Sequence, residues 1–143
     1  MNVKAILAAK GGDIYSIEPN ATLAAAAKLL STHRIGAVVI LGAGGRLAGI
    51  LSERDIVRAV SEFGADALTI PVGQVMTRNV MTCVEDDSIA DIMERMTAGK
   101  FRHLPVLLDG KMIGVVSIGD VVKERVGEIE HDAEALREYI QTA

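Results

Sequence analysis

Residues 47–57 read LAGILSERDIV, and residues 112–122 read MIGVVSIGDVV; these two stretches decide the fold. Each is an apolar run of strand length with a glycine inside it, followed by Ser-x-x-Asp and by two apolar residues that open a helical pattern. The phrase returns after 65 residues, and self-similarity at a fixed separation indicates a duplicated structural unit. The sequence therefore predicts two copies of one fold.

The composition limits the kinds of protein to be considered. Of the 143 residues 50% are apolar but only 3% aromatic, so the core must be built from aliphatic side chains. A net charge of −4 and a pI near 5.3 give no electrostatic case for nucleic acid or an anionic membrane as partner. A single cysteine, Cys83, excludes an internal disulfide framework and fits a reducing compartment. With neither a signal peptide nor an apolar run of ~18 residues, we expect a cytoplasmic protein.

The elements around the two phrases follow one order twice. The first copy shows patterns for a strand at 14–17, a helix from 23, strands at 35–41 and 47–51, and a helix from Ser52. The apolar face of that last helix is predicted to be Ile56, Val57, Val60 and Phe63. The second copy shows a strand at 80–84, a helix from 89, strands at 101–108 and 112–116, and a helix from Ser117. The fold class is α/β (α+β by some schemes), built from two strand–helix–strand–strand–helix repeats.

The repeat predicts boundaries along the chain. We assign a first repeat with an N-terminal helix to 1–63, a linker to 64–73, a second repeat to 74–125 and a C-terminal helical tail to 126–143. The tail region carries a heptad-like apolar stripe: Val122, Val126, Ile129, Ala133, Leu136 and Ile140. Because the stripe is shorter than the ~3–4 heptads of a confident coiled coil, a helix docked on its own domain or on a partner copy fits as well as a coiled coil.

The Ser-x-x-Asp motif has two interpretations. It is a helix-capping pattern, in which the hydroxyl accepts from an orphan backbone N–H and the acid complements the helix start. Alternatively, a helix start that directly follows a buried strand offers free N–H groups and a positive dipole end to a phosphate. The spacing alone favours the cap, because Ser88 and Asp91 show it where we expect no ligand.

The doubled pattern resembles the CBS-domain pair, or Bateman module. The resemblance covers residues 1–125 and rests on IGAVV at 35–39, GILSERD at 49–55, VMTRNV at 75–80, RHLPV at 102–106 and GVVSIGD at 114–120. It implies repeats paired by pseudo-two-fold symmetry, two clefts between them, a stand-alone module and a homodimer. It also implies a sensor of adenosine-containing ligands such as AMP, ADP, ATP, NAD or S-adenosylmethionine.

The resemblance assigns roles to particular residues. Asp55 and Asp120 would hold ribose hydroxyls, and Ser52 and Ser117, with the helix starts, would hold phosphate. Arg54, Arg102 and His103 are the expected partners of phosphate charge. The backbone around the adenine would come from Ile14, Tyr15, Asn79, Val80, Ala37, Val38, His103 and Leu104, with Thr77 in the same ligand-binding set.

The two copies are not equivalent, so we expect sites of different affinity. Glu53-Arg54 of the first copy corresponds to Ile118-Gly119 of the second, and Gly36-Ala37 corresponds to Arg102-His103. No nucleophile–base set or metal-ligand spacing stands out, which predicts a protein that is not an enzyme and needs no catalytic cofactor. The rival hypothesis is a protein-interaction module whose nucleotide clefts are vestigial, and in either case the regulated protein partner is unknown.

Overall fold

Both phrases fold as the second strand of a β-hairpin that runs directly into a helix. In the computed structural model, which describes residues 1–142, the elements are α1 (Val3–Lys10), β1 (Ser16–Ile17), α2 (Leu23–His33), β2 (Ala37–Leu41), β3 (Leu47–Ser52), α3 (Glu53–Phe63), α4 (Ile89–Gly99), β4 (His103–Leu108), β5 (Lys111–Ser117) and α5 (Ile118–Thr142). Residue 143, the last of the predicted tail, lies outside the described residues. Within residues 1–142 no helix is long and apolar enough to cross a membrane.

The chain divides into two compact units by its contacts. Of the described residues, the first unit comprises 13–81, and the second comprises 1–12 with 82–142. The predicted mixture of helices and strands in two repeats is confirmed. The contact boundaries differ from the sequence division, as α1 and the linker show below.

The first unit contains a three-stranded sheet, and its helices pack with the sheet through aliphatic side chains. Strand β1 pairs in parallel with β2, which pairs antiparallel with β3, so that Ala37 lies opposite Ser52. The predicted linker belongs to this unit, because its 3-10 turns at Gly64–Thr69 and Val72–Gln74 bury Ala67 and Val72. The buried cluster is Leu23, Ala26, Leu30, Val38, Ile40, Leu51, Ala59, Ala67 and Val72.

In the second unit the hairpin of β4 and β5 repeats this arrangement, with His103 opposite Ser117. The strand predicted at 80–84 is reduced to a single parallel bridge between Cys83 and Val106. The ladder stops there because the chain turns at once: the Asp87 N–H donates to the Val84 carbonyl at 3.1 Å, and the Val84 N–H donates to the Asp87 carboxylate at 2.9 Å. The bridge keeps the order of the first unit, since Ile17 pairs with Ile40 at the position that Cys83 and Val106 occupy here.

Helix α1, which the sequence division grouped with the first repeat, packs in the second unit. Its apolar residues Val3 and Ile6 are buried in the core around β4 and β5. Leu7 lies against Gly114, where a Cβ atom would stand 2.6 Å from a leucine methyl carbon. The backbone N–H of Val3 also donates to the carbonyl of Asp87 at 3.0 Å. A buried apolar face, this backbone bond and a second one, from the Lys4 N–H to the Glu85 carbonyl at 3.0 Å, hold α1 in the second unit.

The apolar face predicted for α3 is wrong. Val57 is 68% exposed, and Val60 and Phe63 are also exposed. The helix buries Asp55 and Ala59, with Ile56 partly buried against the core. The inward face of α3 is therefore the one that carries Asp55 and Ala59, and it includes a polar side chain.

Candidate functional site

In the first unit, Ser52 and Asp55 form a closed set of hydrogen bonds at the start of α3. The Ser52 backbone N–H donates to Asp55 Oδ2 at 2.8 Å, and the Ser52 hydroxyl donates to the same oxygen at 3.1 Å. In return the Asp55 N–H donates to Ser52 Oγ at 3.4 Å. Arg58 Nη1 lies 3.6 Å from Asp55 Oδ1. Asp55 is only 8% exposed, which a carboxylate tolerates because donors surround it.

In the second unit, Ser117 and Asp120 repeat the same reciprocal bonds at the start of α5. The Ser117 N–H donates to Asp120 Oδ2 at 2.9 Å, and the Asp120 N–H donates to Ser117 Oγ at 3.2 Å. Here the cation is Lys10 from α1, whose Nζ lies 2.7 Å from Asp120 Oδ2 and donates to the Val115 carbonyl at 3.0 Å. Lys10 was not among the predicted site residues, because nothing in the sequence brings α1 to the second phrase.

The ionisation of Asp120 follows from these contacts. Burial alone raises its pKa, but the hydrogen bond from Lys10, the bond from the Ser117 backbone and the Lys10 charge together bring the pKa below its ordinary value of 3.8. The side chain is therefore a carboxylate at neutral pH, able to accept hydrogen bonds and unable to donate them.

The Ser88 copy behaves differently from the two copies at strand ends. The Asp91 N–H donates to Ser88 Oγ at 3.1 Å, so Ser88 caps α4. No return bond from the Ser88 N–H to the Asp91 carboxylate is present in the described part of the chain. The reciprocal box is thus confined to the two copies that follow a strand, which separates them from a plain cap.

The helix starts offer fewer free N–H groups than the sequence suggests. At α3 the Glu53 N–H donates to the Gly36 carbonyl at 3.0 Å, and at α5 the Ile118 N–H donates to the Arg102 carbonyl at 2.7 Å. With the third N–H taken by the serine hydroxyl, one N–H in the first turn of each helix, that of Arg54 or of Gly119, has no acceptor within residues 1–142. Each half-site therefore presents one backbone donor, one hydroxyl and one carboxylate.

The predicted adenine-contacting residues divide between core and surface. Val38 and Leu104 are fully buried, so only their backbone could face a ligand. Ile14 is half-buried, as is Tyr15, whose ring stacks on His33 with centroids 4.1 Å apart. His33 was not among the predicted site residues, although its ring lies against that of Tyr15.

The remaining predicted residues lie at the ends of strands or on the surface. Thr77 pairs with Ile50 through two backbone hydrogen bonds of 2.9 and 3.0 Å, which holds its segment on β3 of the first unit. Asn79 is exposed and Val80 is half-buried. Arg54 and Arg102 are exposed, and His103 is half-buried in the first residue pair of the β4–β5 hairpin.

The structure thus gathers Ala37, Ser52, Arg54 and Asp55 at one helix start in the first unit. It gathers Arg102, His103, Ser117 and Asp120 at the other helix start in the second.

Two further features carry no site. The described residues contain no group of three or more His, Cys, Asp or Glu side chains placed to hold a metal ion. Cys83 is buried, and burial, followed by the charge of Asp87, raises its pKa to about 12, so the thiol is inert filling of the core.

Comparison with known proteins gives one consistent family. A sequence model of the CBS domain matches residues 3–62 and 72–127. An uncharacterized 17.7 kDa protein of Acidianus ambivalens is 39% identical over 111 residues, which are 77% of this chain and 66% of that protein. The CBS domain-containing protein CBSX3, mitochondrial, of Arabidopsis thaliana is 38% identical over 120 residues, 81% of this chain and 58% of that protein. The chain thus spans no more than two thirds of the length of these curated relatives.

Solved structures similar to this chain are also described as CBS-domain proteins. The CBS-domain containing protein ATU1752 from Agrobacterium tumefaciens is 44% identical, with a TM-score of 0.85, over 87% of this chain and 92% of that one. The CBS domain pair of protein MJ0100, solved in complex with 5'-methylthioadenosine and S-adenosyl-L-methionine, is 27% identical with a TM-score of 0.79. That match covers 90% of this chain and 98% of the MJ0100 chain.

Proposed function

Since the chain belongs to the CBS-domain family and contains two copies of that domain, we propose that it is a regulatory module that binds an adenosine-containing small molecule. The observation that carries the proposal is the reciprocal Ser/Asp box, found at both strand-to-helix junctions and only one-sided at Ser88. The MJ0100 domain pair, a structural relative, was solved with two adenosine-containing ligands. AMP, ADP, ATP, NAD and S-adenosylmethionine are the ligands to test.

Each half-site has groups suited to one part of such a ligand. Asp55 and Asp120 are acceptors for the two ribose hydroxyls, which are donors. The Ser52 and Ser117 hydroxyls and the unused N–H group beside each lie at a helix N-terminus, where a phosphate is stabilised by the helix dipole. Ligand binding here exchanges the cap for ligand contacts, so its net free energy is reduced by the free energy of the cap, about 1 kcal/mol.

We propose that the two half-sites are unequal. The Asp120 carboxylate is bonded directly by Lys10, whereas Asp55 is more deeply buried and has its arginine at 3.6 Å. A ribose at Asp120 must share or displace the Lys10 ammonium, so the two half-sites differ in affinity. Isothermal titration with AMP or ATP should show two classes of site, or one occupied site. Two identical independent sites would contradict the proposal.

The output of the module is a shift between conformations or assemblies. A ligand favours one arrangement only by its difference in affinity between the two. We propose that the module works as a homodimer in the cytoplasm, has no catalytic activity of its own and passes its signal to a protein partner.

A thermal-shift screen with the five ligands tests the function. A ligand at ~100 times its dissociation constant should stabilise the protein by ~2.7 kcal/mol. Asp55→Asn and Asp120→Asn, made separately, should each remove the shift of one half-site, and Asp91→Asn is the matched control at the one-sided cap. Variants that lose stability without ligand but keep the ligand shift would show that the aspartates are caps only.

The second candidate is a protein-interaction module with vestigial nucleotide sites. The observation in its favour is that both carboxylates already have their donors within the chain. It predicts no thermal shift with any of the five ligands.

A further inference from the structure

The apolar stripe on α5 faces solvent. Exposure along it rises from 42% at Val122 to 65% at Ile140, with Leu136 at 59%. The helix packs on its own unit through a different face, on which Val121 is buried and Glu128 is half-buried. Docking of the stripe on its own domain, one of the options that the sequence left open, is therefore wrong.

The second half of α5 leaves the surface of its unit. From residue 129 to residue 142 every side chain is exposed except the half-buried Ala133. An isolated helix of ~12–15 residues is only marginally stable in water, so the apolar stripe needs a partner to hold this half helical. Alternating steps of four and three place Val126, Ala133 and Ile140 at a positions and Val122, Ile129 and Leu136 at d positions of a heptad.

The charges beside the stripe identify the partner. In a parallel, in-register pair of identical helices, each g residue faces the e residue five positions later on the other helix. Here Arg125 would face Glu130 of the second copy, and Asp132 would face Arg137. All of these pairs are of opposite charge.

The antiparallel alternatives fit less well. The register that overlaps the whole stripe brings Glu130 against Glu130, Asp132 against Asp132 and Lys123 against Arg137, all of like charge. Sliding the helices by one heptad restores opposite charges but leaves one third of the a and d positions uncovered. Of these arrangements, only the parallel pair both covers the whole apolar stripe and places opposite charges beside it.

We infer that α5 forms a parallel, in-register two-stranded coiled coil with α5 of a second copy of this chain. The inference deepens the homodimer of the proposed function by naming its surface and direction, and it does not depend on ligand binding. In forming it, Arg125 exchanges its contact with Glu128, 3.6 Å away on the same helix, for Glu130 of the partner copy.

Sedimentation or light scattering of the full chain across concentrations tests the interface. Leu136→Asp should weaken the dimer at least tenfold, whereas Ala135→Asp, on the same exposed turn but off the stripe, should leave it unchanged. A monomer at all concentrations, or a dimer unaffected by Leu136→Asp, would overturn the inference. Leu136→Asp should keep any ligand-induced thermal shift, which separates failure of the interface from failure of the nucleotide site.

Charge reversal tests the direction. Asp132→Arg and Arg137→Asp, at exposed positions that are unpaired within residues 1–142, should each weaken the dimer by roughly tenfold. The double variant should restore it. In the fully overlapped antiparallel register Arg137→Asp would strengthen the dimer, and in the shifted registers the double variant would not recover; either result overturns the parallel arrangement.

A cross-link provides an independent measurement. With Ile140→Cys, a short bis-maleimide should couple two copies, because a parallel coil brings the introduced thiols together. The fully overlapped antiparallel pair would hold them about 27 Å apart along the axis, and the absence of coupling would refute the parallel direction. Cys83 is buried and serves as the internal control, since the parent protein should not couple.

Discussion

Replacing Lys10 by methionine removes the ammonium from Asp120 and keeps most of the aliphatic volume. The pair is short, 2.7 Å, but half-open to water, with side-chain exposures of 38% for Lys10 and 25% for Asp120. Exposed ion pairs typically contribute about 0.2–1 kcal/mol to stability, and buried charged hydrogen bonds contribute more. For this half-open pair we expect Lys10→Met to lower the free energy of unfolding by about 1 kcal/mol at pH 7. Urea unfolding monitored by circular dichroism measures it, with Lys4→Met on the same helix as the matched control.

The pH dependence has a definite sign. Asp120 has a lowered pKa in the folded protein, so its stabilisation is fully present above the ordinary value of 3.8 and is lost as the pH falls through the folded-state value. The difference between the parent and Lys10→Met should therefore shrink in acid toward that of Lys4→Met, and the part that remains belongs to the Lys10 hydrogen bond to the Val115 carbonyl. Equal losses for the two lysine variants at pH 7, or a Lys10 effect unchanged in acid, would refute the reasoning.

The remaining predictions concern packing, caps and the thiol. Gly114→Ala should cost about 1–3 kcal/mol of folding stability in chemical denaturation, because its Cβ would meet a leucine of α1 at 2.6 Å. Gly127→Ala, with nothing within 4 Å, should instead stabilise by about 0.5–1 kcal/mol, and a loss there would contradict the open surface of α5. Ser52→Ala should destabilise by ~1 kcal/mol or more in the same assay, and at least as much as Ser88→Ala, because the Ser52 hydroxyl also donates to a carboxylate. Cys83 should resist a thiol reagent at pH 8 until the protein unfolds; rapid native-state labelling would disprove its burial.

The sequence predicted the features that local chemistry determines. The hairpins at β2–β3 and β4–β5, and the helices opened by Ser52, Ser88 and Ser117, form where apolar runs, turn residues and caps agree. Strand extent was harder to predict, because the chain turns directly after Cys83, where the backbone N–H and the carboxylate of Asp87 both bond to Val84.

Long-range packing accounts for what the sequence did not predict. Helix α1 has an apolar face of ordinary size, and no residue in or next to the helix indicates which repeat will bury that face. Its placement brings Lys10 to Asp120 across 110 residues of chain, so the most direct ion pair at a predicted site residue could not be seen in either phrase. The rotation of α3 was missed for a related reason: hydrophobic spacing marks a face, but both a core and a partner can cover such a face.

Helix α5 connects the second half-site directly to a distant part of the molecule, because it is continuous. The helix begins directly after the Ser117–Asp120 box and continues for 25 residues, a length of about 37 Å, with no proline to hinge it. A tilt of about 5° at its first turn displaces the far end by about 3 Å, more than half of one helical turn. Any tilt that a change at Asp120 imposed on the first turn would thus be enlarged at the C-terminal end of α5, enough to change which side chains meet there.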